Sequence, residues 1–171
     1  QLRSFTHDHV VMARIAAIHA LGDIWAMGAK PRVATANVTL PRMSPDLQRR
    51  SLTEITQAAT AVMLDAGARI VGGHTALGDE LSIGFTITGT VEKPITLAGA
   101  QSGDVLILTK PIGSGTVMAA EMASKASGAD VMACLLLMMQ SQAKAAEILR
   151  NAHAMTDVTG FGLAGHLRGM C

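Results

Sequence analysis

The chain has 171 residues, of which 49% are apolar and 16% charged, and its net charge is +1. That balance supports one ordinary domain or two small half-domains around a buried core, and excludes a disordered or heavily solvated chain. There is no basic block, and one Trp, three Phe and no Tyr leave no stacking platform for bases, so no nucleic-acid partner is expected.

In chain order, Asp8 to Met27 reads as a helix, because Val11, Ile15, Ile18, Leu21 and Ile24 recur at three- and four-residue steps. Gly28 supplies a stop and Pro31 forbids simple continuation. Val33 to Leu40 is rich in β-branched residues and predicts a strand. Ser44-Pro45-Asp46 starts a second helix, with Ser as N-cap, Pro at N1 and an acid in the first turn. It runs to about Ala66 with Leu47, Ile55, Ala58, Val62 and Ala66 inward, and Gly67 ends it. Arg69 to Val71 predicts a brief strand entering a loop at Gly72-Gly73-His74. Ser82 to Val91 alternates, with Ile83, Phe85 and Ile87 on one face and Thr86 and Thr88 on the other. Leu97 to Gly103 is a Gly/Ala/Ser stretch and a boundary between halves.

The second half opens with Asp104 to Thr109, an apolar run expected to form a buried strand. The loop Pro111 to Gly115 leads into helices near Thr116 to Lys125 and Asp130 to Asn151. Met155 to Thr159 is a short strand or loop, and Phe161 to Met170 opens a last helix. No repeat of fixed period is present, and strands mixed with helices in this way indicate an α/β (α+β) enzyme-like chain.

Three stretches carry chemistry. Asp23 sits within the first, mostly apolar helix, one turn after His19, and the i, i+4 spacing places both on one face. Such a carboxylate is paired, metal-bound or at the surface, and His19 with Asp23 also suits a plain solvent edge. Gly72-Gly73-His74-Thr75 offers bare backbone N–H groups to a phosphate, or forms a tight turn. The strongest signal is Thr156-Asp157-Val158-Thr159-Gly160-Phe161-Gly162-Leu163, an acid, then Thr-Gly-x-Gly, then a helix. A carboxylate there suits Mg²⁺, which takes one or two protein carboxylates when it rides on nucleotide phosphates; capping the last helix is the alternative. The loop Thr109 to Gly115 lacks the Walker order, its Lys110 preceding its glycines, so Lys110 is expected to be solvated.

Cys134 and Cys171 stand alone, without CxxC or metal-like spacing, as in a reduced cytoplasmic chain. The longest uncharged apolar stretch, Val131 to Met139, is far shorter than the ~20 residues of a membrane span, and no secretory signal opens the sequence. A cytoplasmic location without a membrane partner is expected. A start at Gln1 and an end at Gly-Met-Cys suggest an internal piece of a longer protein.

The stretches Ala20 to Pro31, Gly72 to Thr75, Leu108 to Gly115 and Met155 to Leu167, in this order, resemble the selenophosphate synthetase (selenide, water dikinase) family of the aminoimidazole-ribonucleotide-synthetase-like superfamily. The Ala-Met-Gly-Ala-Lys-Pro run is shared across the superfamily. The Gly-Gly-His loop and the Thr-Asp-Val-Thr-Gly-Phe-Gly-Leu-x-Gly-His-Leu run are more particular to the selenide enzyme. The resemblance implies a two-half ATP-binding synthetase fold, here truncated at both ends. Residues 1–97 would be the later part of the N-terminal, dimerising half and 103–171 the beginning of the C-terminal half. It implies phosphorylation of selenide by ATP to give selenophosphate, AMP and phosphate, with Mg²⁺ as cofactor, ATP and selenide as substrates and a homodimer joined by a shared β-barrel. It assigns Asp23 to metal and nucleotide, Gly72, Gly73 and His74 to nucleotide, and Asp157 to a second metal contact. The family's reactive Cys or selenocysteine with its nearby Lys has no match, so the catalytic residues would lie upstream of Gln1 and this segment would be inactive. His19 stands where the family usually has Asn. Another ATP-dependent kinase of the superfamily, and a non-catalytic dimerisation remnant of a fused protein, are the alternatives.

Overall fold

The computed structural model describes residues 1–171. Its elements are β1 (Leu2–Arg3), α1 (His9–Ala26), β2 (Lys30–Pro41), α2 (Pro45–Asp65), β3 (Arg69–Gly78) and β4 (Ser82–Thr90). A 3₁₀ turn (Leu97–Gly99) then leads to α3 (Ser114–Met122), α4 (Gly128–Met138), α5 (Ala143–Ile148) and α6 (Gly162–Met170).

The four strands form one mixed sheet in the order β1-β4-β2-β3. Strand β2 runs parallel to β3, across the α2 crossover, and antiparallel to β4. Side chains alternate along β2: Ala34, Val38 and Leu40 are buried while Val33, Thr35 and Asn37 are exposed. On β4, Ile83 is buried and Phe85 and Ile87 half-buried, with Thr86 and Thr88 exposed, as their alternation predicts. Helices α1 and α2 cover the apolar face; the other face is bare.

Both of these helices, α1 and α2, start where a side chain can take up orphan N–H groups. Asp8 Oδ1 accepts from the N–H of Val10 and of Val11, each at 2.9 Å, and Ser44 accepts from Leu47 N–H ahead of Pro45. Both helices stop at a left-handed glycine, Gly28 with φ 67° and Gly67 with φ 83°. On α1 burial is wider than the predicted stripe, taking in Met12, Ala13, Ala16, Ala17 and Trp25 as well as Ile15, Ile18 and Leu21. The cause is that α1 is gripped from several sides. Met12, Ala13 and Ala16 pack with Val38, Leu40, Ile55 and Ile83, while Ala17, Leu21 and Trp25 pack with Ala34 and Met63. Ile15 meets Met118, Cys134 and Leu135 of α3 and α4. On α2 the buried stripe is Ser51, Ile55, Ala59 and Met63, one step around from the expected Ala58 and Val62, and Leu47 is exposed.

Four expectations fail. Gly72-Gly73-His74 is not a loop: β3 continues through it, with Gly72, Gly73 and His74 opposite Thr35, Ala36 and Asn37. A Cβ on Gly73 would stand 1.9 Å from the Ala36 carbonyl oxygen, so this glycine permits two strands to close up. Asp104 to Thr109 forms no strand, and Val105, Leu106, Ile107 and Leu108 are exposed. No strand edge of the sheet lies alongside to take its hydrogen bonds. The expected helix from Asp130 to Asn151 breaks into α4 and α5, and Lys110 is at the break. Its Nζ donates to the carbonyls of Leu137 (3.0 Å) and Gln140 (3.3 Å), so it is half-buried instead of solvated, and burial pushes its pKa down.

Candidate nucleotide and metal site

The helix α1 is buried nearly all round, but His19 and Asp23 lie on an exposed edge one turn apart. Against this edge comes the unstructured stretch before α6. A Cβ built on Gly22 would be 3.7 Å from Asp157 Cβ and 3.8 Å from its Oδ2, and outside α1 no other residue comes within 4 Å. Two acids far apart in the chain therefore meet, one from each half. Although Asp23 as a residue is exposed, its carboxyl is desolvated enough that burial is the largest cause of a raised pKa. The charge of Asp157 is the next cause and acts in the same direction, His19 opposes it, and the two carboxyls are close enough for a shared proton to contribute.

The stretch bearing Asp157 is fastened at both ends. Upstream, His153 Nδ1 lies 2.8 Å from Asp104 Oδ1, and Asp104 Oδ2 accepts from Gln101 N–H at 2.8 Å. These contacts hold the Asp104 carboxyl below its ordinary range, the Gln101 N–H contributing most. Gly99 lies so close to the His153 carbonyl that a Cβ would stand 1.8 Å from it. Downstream, His166 on α6 bonds back to Thr156 and Thr159, and its ring stands 5.7 Å from that of Phe161.

The donor set can be tested against a cation. Two adjoining carboxylates, one resisting ionisation, form an anionic pair, and oxygen donors suit a hard divalent ion. No group of three or more His, Cys, Asp or Glu gathers anywhere in the chain. The pair therefore fits an ion that arrives on phosphate oxygens and keeps waters, and does not make a closed protein cage. A surface hollow beside the start of α2 and another between α3 and α4 include neither aspartate.

Gly72, Gly73 and His74 are exposed on the edge strand β3, and no hydrogen bond or ion pair joins them to either aspartate. Sequence reasoning missed Gly22, His153 and His166. Gly22 carried a signal, since a glycine inside a helix costs about 1 kcal/mol relative to Ala and commonly marks a close approach.

No helix is long and apolar enough to cross a membrane. Residues 2–91 match the family model described as AIR synthase related protein, N-terminal domain, and residues 101–171 match the AIR synthase related protein, C-terminal domain. The chain is 42% identical over 159 residues to the selenide, water dikinase of Trichlorobacter lovleyi, covering 90% of this chain and 45% of that one. It is 38% identical over 162 residues to the selenide, water dikinase of Bdellovibrio bacteriovorus, covering 91% and 46%. It thus spans about half the length of the curated relatives it matches. Among solved structures it is similar in fold to the thiamine monophosphate kinase of Aquifex aeolicus, with TM-score 0.77, 17% identity, and 92% of this chain and 56% of that one covered. It is also similar to the hydrogenase maturation protein HypE in complex with ATP, with TM-score 0.73, 22% identity, and 92% and 49% covered. The two family models together take in nearly the whole sequence, and the chain belongs to the AIR synthase related proteins.

Proposed function

We propose that this chain is part of a selenide, water dikinase, which transfers phosphate from ATP to selenide and releases selenophosphate, AMP and phosphate. The likeness to relatives of that name supports the reaction. The observation that carries the site is the approach of Asp157 to Gly22 and Asp23. Asp23 and Asp157 would hold Mg²⁺ between the halves, 1–97 and 103–171, and a bound Mg²⁺ would neutralise charge on the polyphosphate. His19 lowers the cost of ionising Asp23. Gly72, Gly73 and His74 are assigned to the nucleotide on the family resemblance and on their exposure at the edge strand, although the packing of Gly73 on Ala36 already accounts for that glycine. A second copy on the bare sheet face would complete a homodimer in the cytoplasm.

Isothermal calorimetry with a non-hydrolysable ATP analogue tests the site. Wild type should bind more tightly with Mg²⁺ than without, and Asp23→Asn or Asp157→Asn should each remove roughly tenfold or more of that gain. Equal affinity in all three proteins contradicts the assignment. The chain carries no match to the family's reactive Cys or selenocysteine with its nearby Lys, and its buried thiol, Cys134, has its pKa pushed up by burial. The 171 residues alone should therefore release no selenide-dependent AMP, and ADP formation would instead favour another kinase of the superfamily.

A further inference from the structure

We propose that His166 is a positioning residue that holds the Thr156–Thr159 stretch in the shape that presents Asp157 to Asp23; this rests on the metal site proposed above. The local fold makes the contact possible. Thr159 O accepts from Gly162 N–H at 3.0 Å, and Gly162, with φ 68°, turns the chain into α6. One turn along α6, the imidazole of His166 folds back over the stretch.

The hydrogen bonds set the ring's role. The N–H of Thr159 donates to His166 Nε2 at 3.0 Å, and the Thr159 hydroxyl lies 3.2 Å from the same nitrogen. Nε2 is therefore an acceptor without hydrogen, which leaves the hydrogen on Nδ1, 3.4 Å from Thr156 Oγ1. Thr156 Oγ1 in turn donates to the Asp157 carbonyl at 3.2 Å. The ring thus bridges the residues on both sides of Asp157 and Val158. Its Nε2 lone pair is already engaged, so His166 acts through the loop and not as a metal ligand. Phe161, itself largely exposed, stands beside the imidazole with its ring tilted against it.

The geometry makes a choice between two amides. The carboxamide oxygen of Gln reaches about where Nε2 lies, whereas that of Asn reaches about where Nδ1 lies. His166→Gln can therefore accept from Thr159 N–H and His166→Asn cannot. The test measures binding of Mn²⁺ alone by electron paramagnetic resonance, on the whole chain, in wild type, Asp157→Asn, His166→Leu, His166→Gln and His166→Asn. Melting midpoints and hydrogen exchange at the Thr159 amide are followed in the same proteins. His166→Leu and His166→Asn should weaken Mn²⁺ by roughly tenfold and expose the Thr159 amide, while His166→Gln stays within about threefold of wild type. If His166→Leu unfolds, His166→Asn decides at an unchanged melting midpoint. Loss of Mn²⁺ in Asp157→Asn with wild-type binding in His166→Asn overturns the positioning role alone. Absence of Mn²⁺ binding in wild type both alone and with the non-hydrolysable ATP analogue, or no loss in Asp157→Asn, overturns the metal site beneath it.

Discussion

A carboxyl placed beside another carboxyl resists ionisation, and Asp23 is in that position. Its pKa is raised from the ordinary 3.8 by burial first and by Asp157 second. The folded chain therefore binds more protons at Asp23 than the unfolded chain over the window from 3.8 up to the raised value. In that window stability falls as pH rises, the reverse of an acid held by a cation. Asp157→Asn removes the repulsion but not the burial. Side-chain carboxyl titration by NMR should then show Asp23 ionising at lower pH than in wild type, though not as low as an exposed Asp. An unchanged Asp23 in that variant would mean that the two side chains do not feel each other. Both acids were legible in the sequence because each broke a pattern, one on an apolar helix and one ahead of Thr-Gly-x-Gly. Their meeting was not legible, because it depends on how α1 packs against a segment with no periodicity of its own.

Among the elements, the sheet is the most asymmetric. Helices α1 and α2 cover one face, and the other exposes Val33, Thr35, Asn37, Thr86 and Thr88 with β3 as an open edge. An open edge with unpaired backbone groups invites a second strand or a second chain. Sedimentation velocity should return a dimer; a monomer at every concentration measured would refute pairing through this face. Periodicity located the helices and β4 well, since a 3.6- or 2-residue repeat names the face to be buried. It did not name the partner. The extra buried residues of α1 pack on β2, β4 and α2, α3 and α4 close over Ile15, and the register of α2 is turned by one residue to seat Ala59 and Met63. The same limit explains Val105–Leu108, whose apolar run announces a strand but has no neighbour to pair with in the sheet. It explains Gly72-Gly73 too: glycines that read as a loop are here the means by which β3 closes on Ala36.

At the scale of the whole molecule, two halves meet at α1. Ile15 packs against α3 and α4, while the segment after α5 carries Asp157 to Gly22. The linker reinforces the join, since Gly99 packs against the His153 carbonyl just upstream of that aspartate. The site exists only if this approach is real, and a cross-link measures it directly. The distance of 3.7 Å between a Cβ on Gly22 and that of Asp157 falls in the range of about 3.5–4.5 Å that a disulfide requires. In a Cys134→Ala, Cys171→Ser background, Gly22→Cys combined with Asp157→Cys should oxidise under mild conditions to one intramolecular disulfide. Mass spectrometry of a non-reduced digest would find the α1 peptide joined to the peptide before α6. Two free thiols after oxidation of the folded protein would contradict the convergence of the two halves on a shared cation.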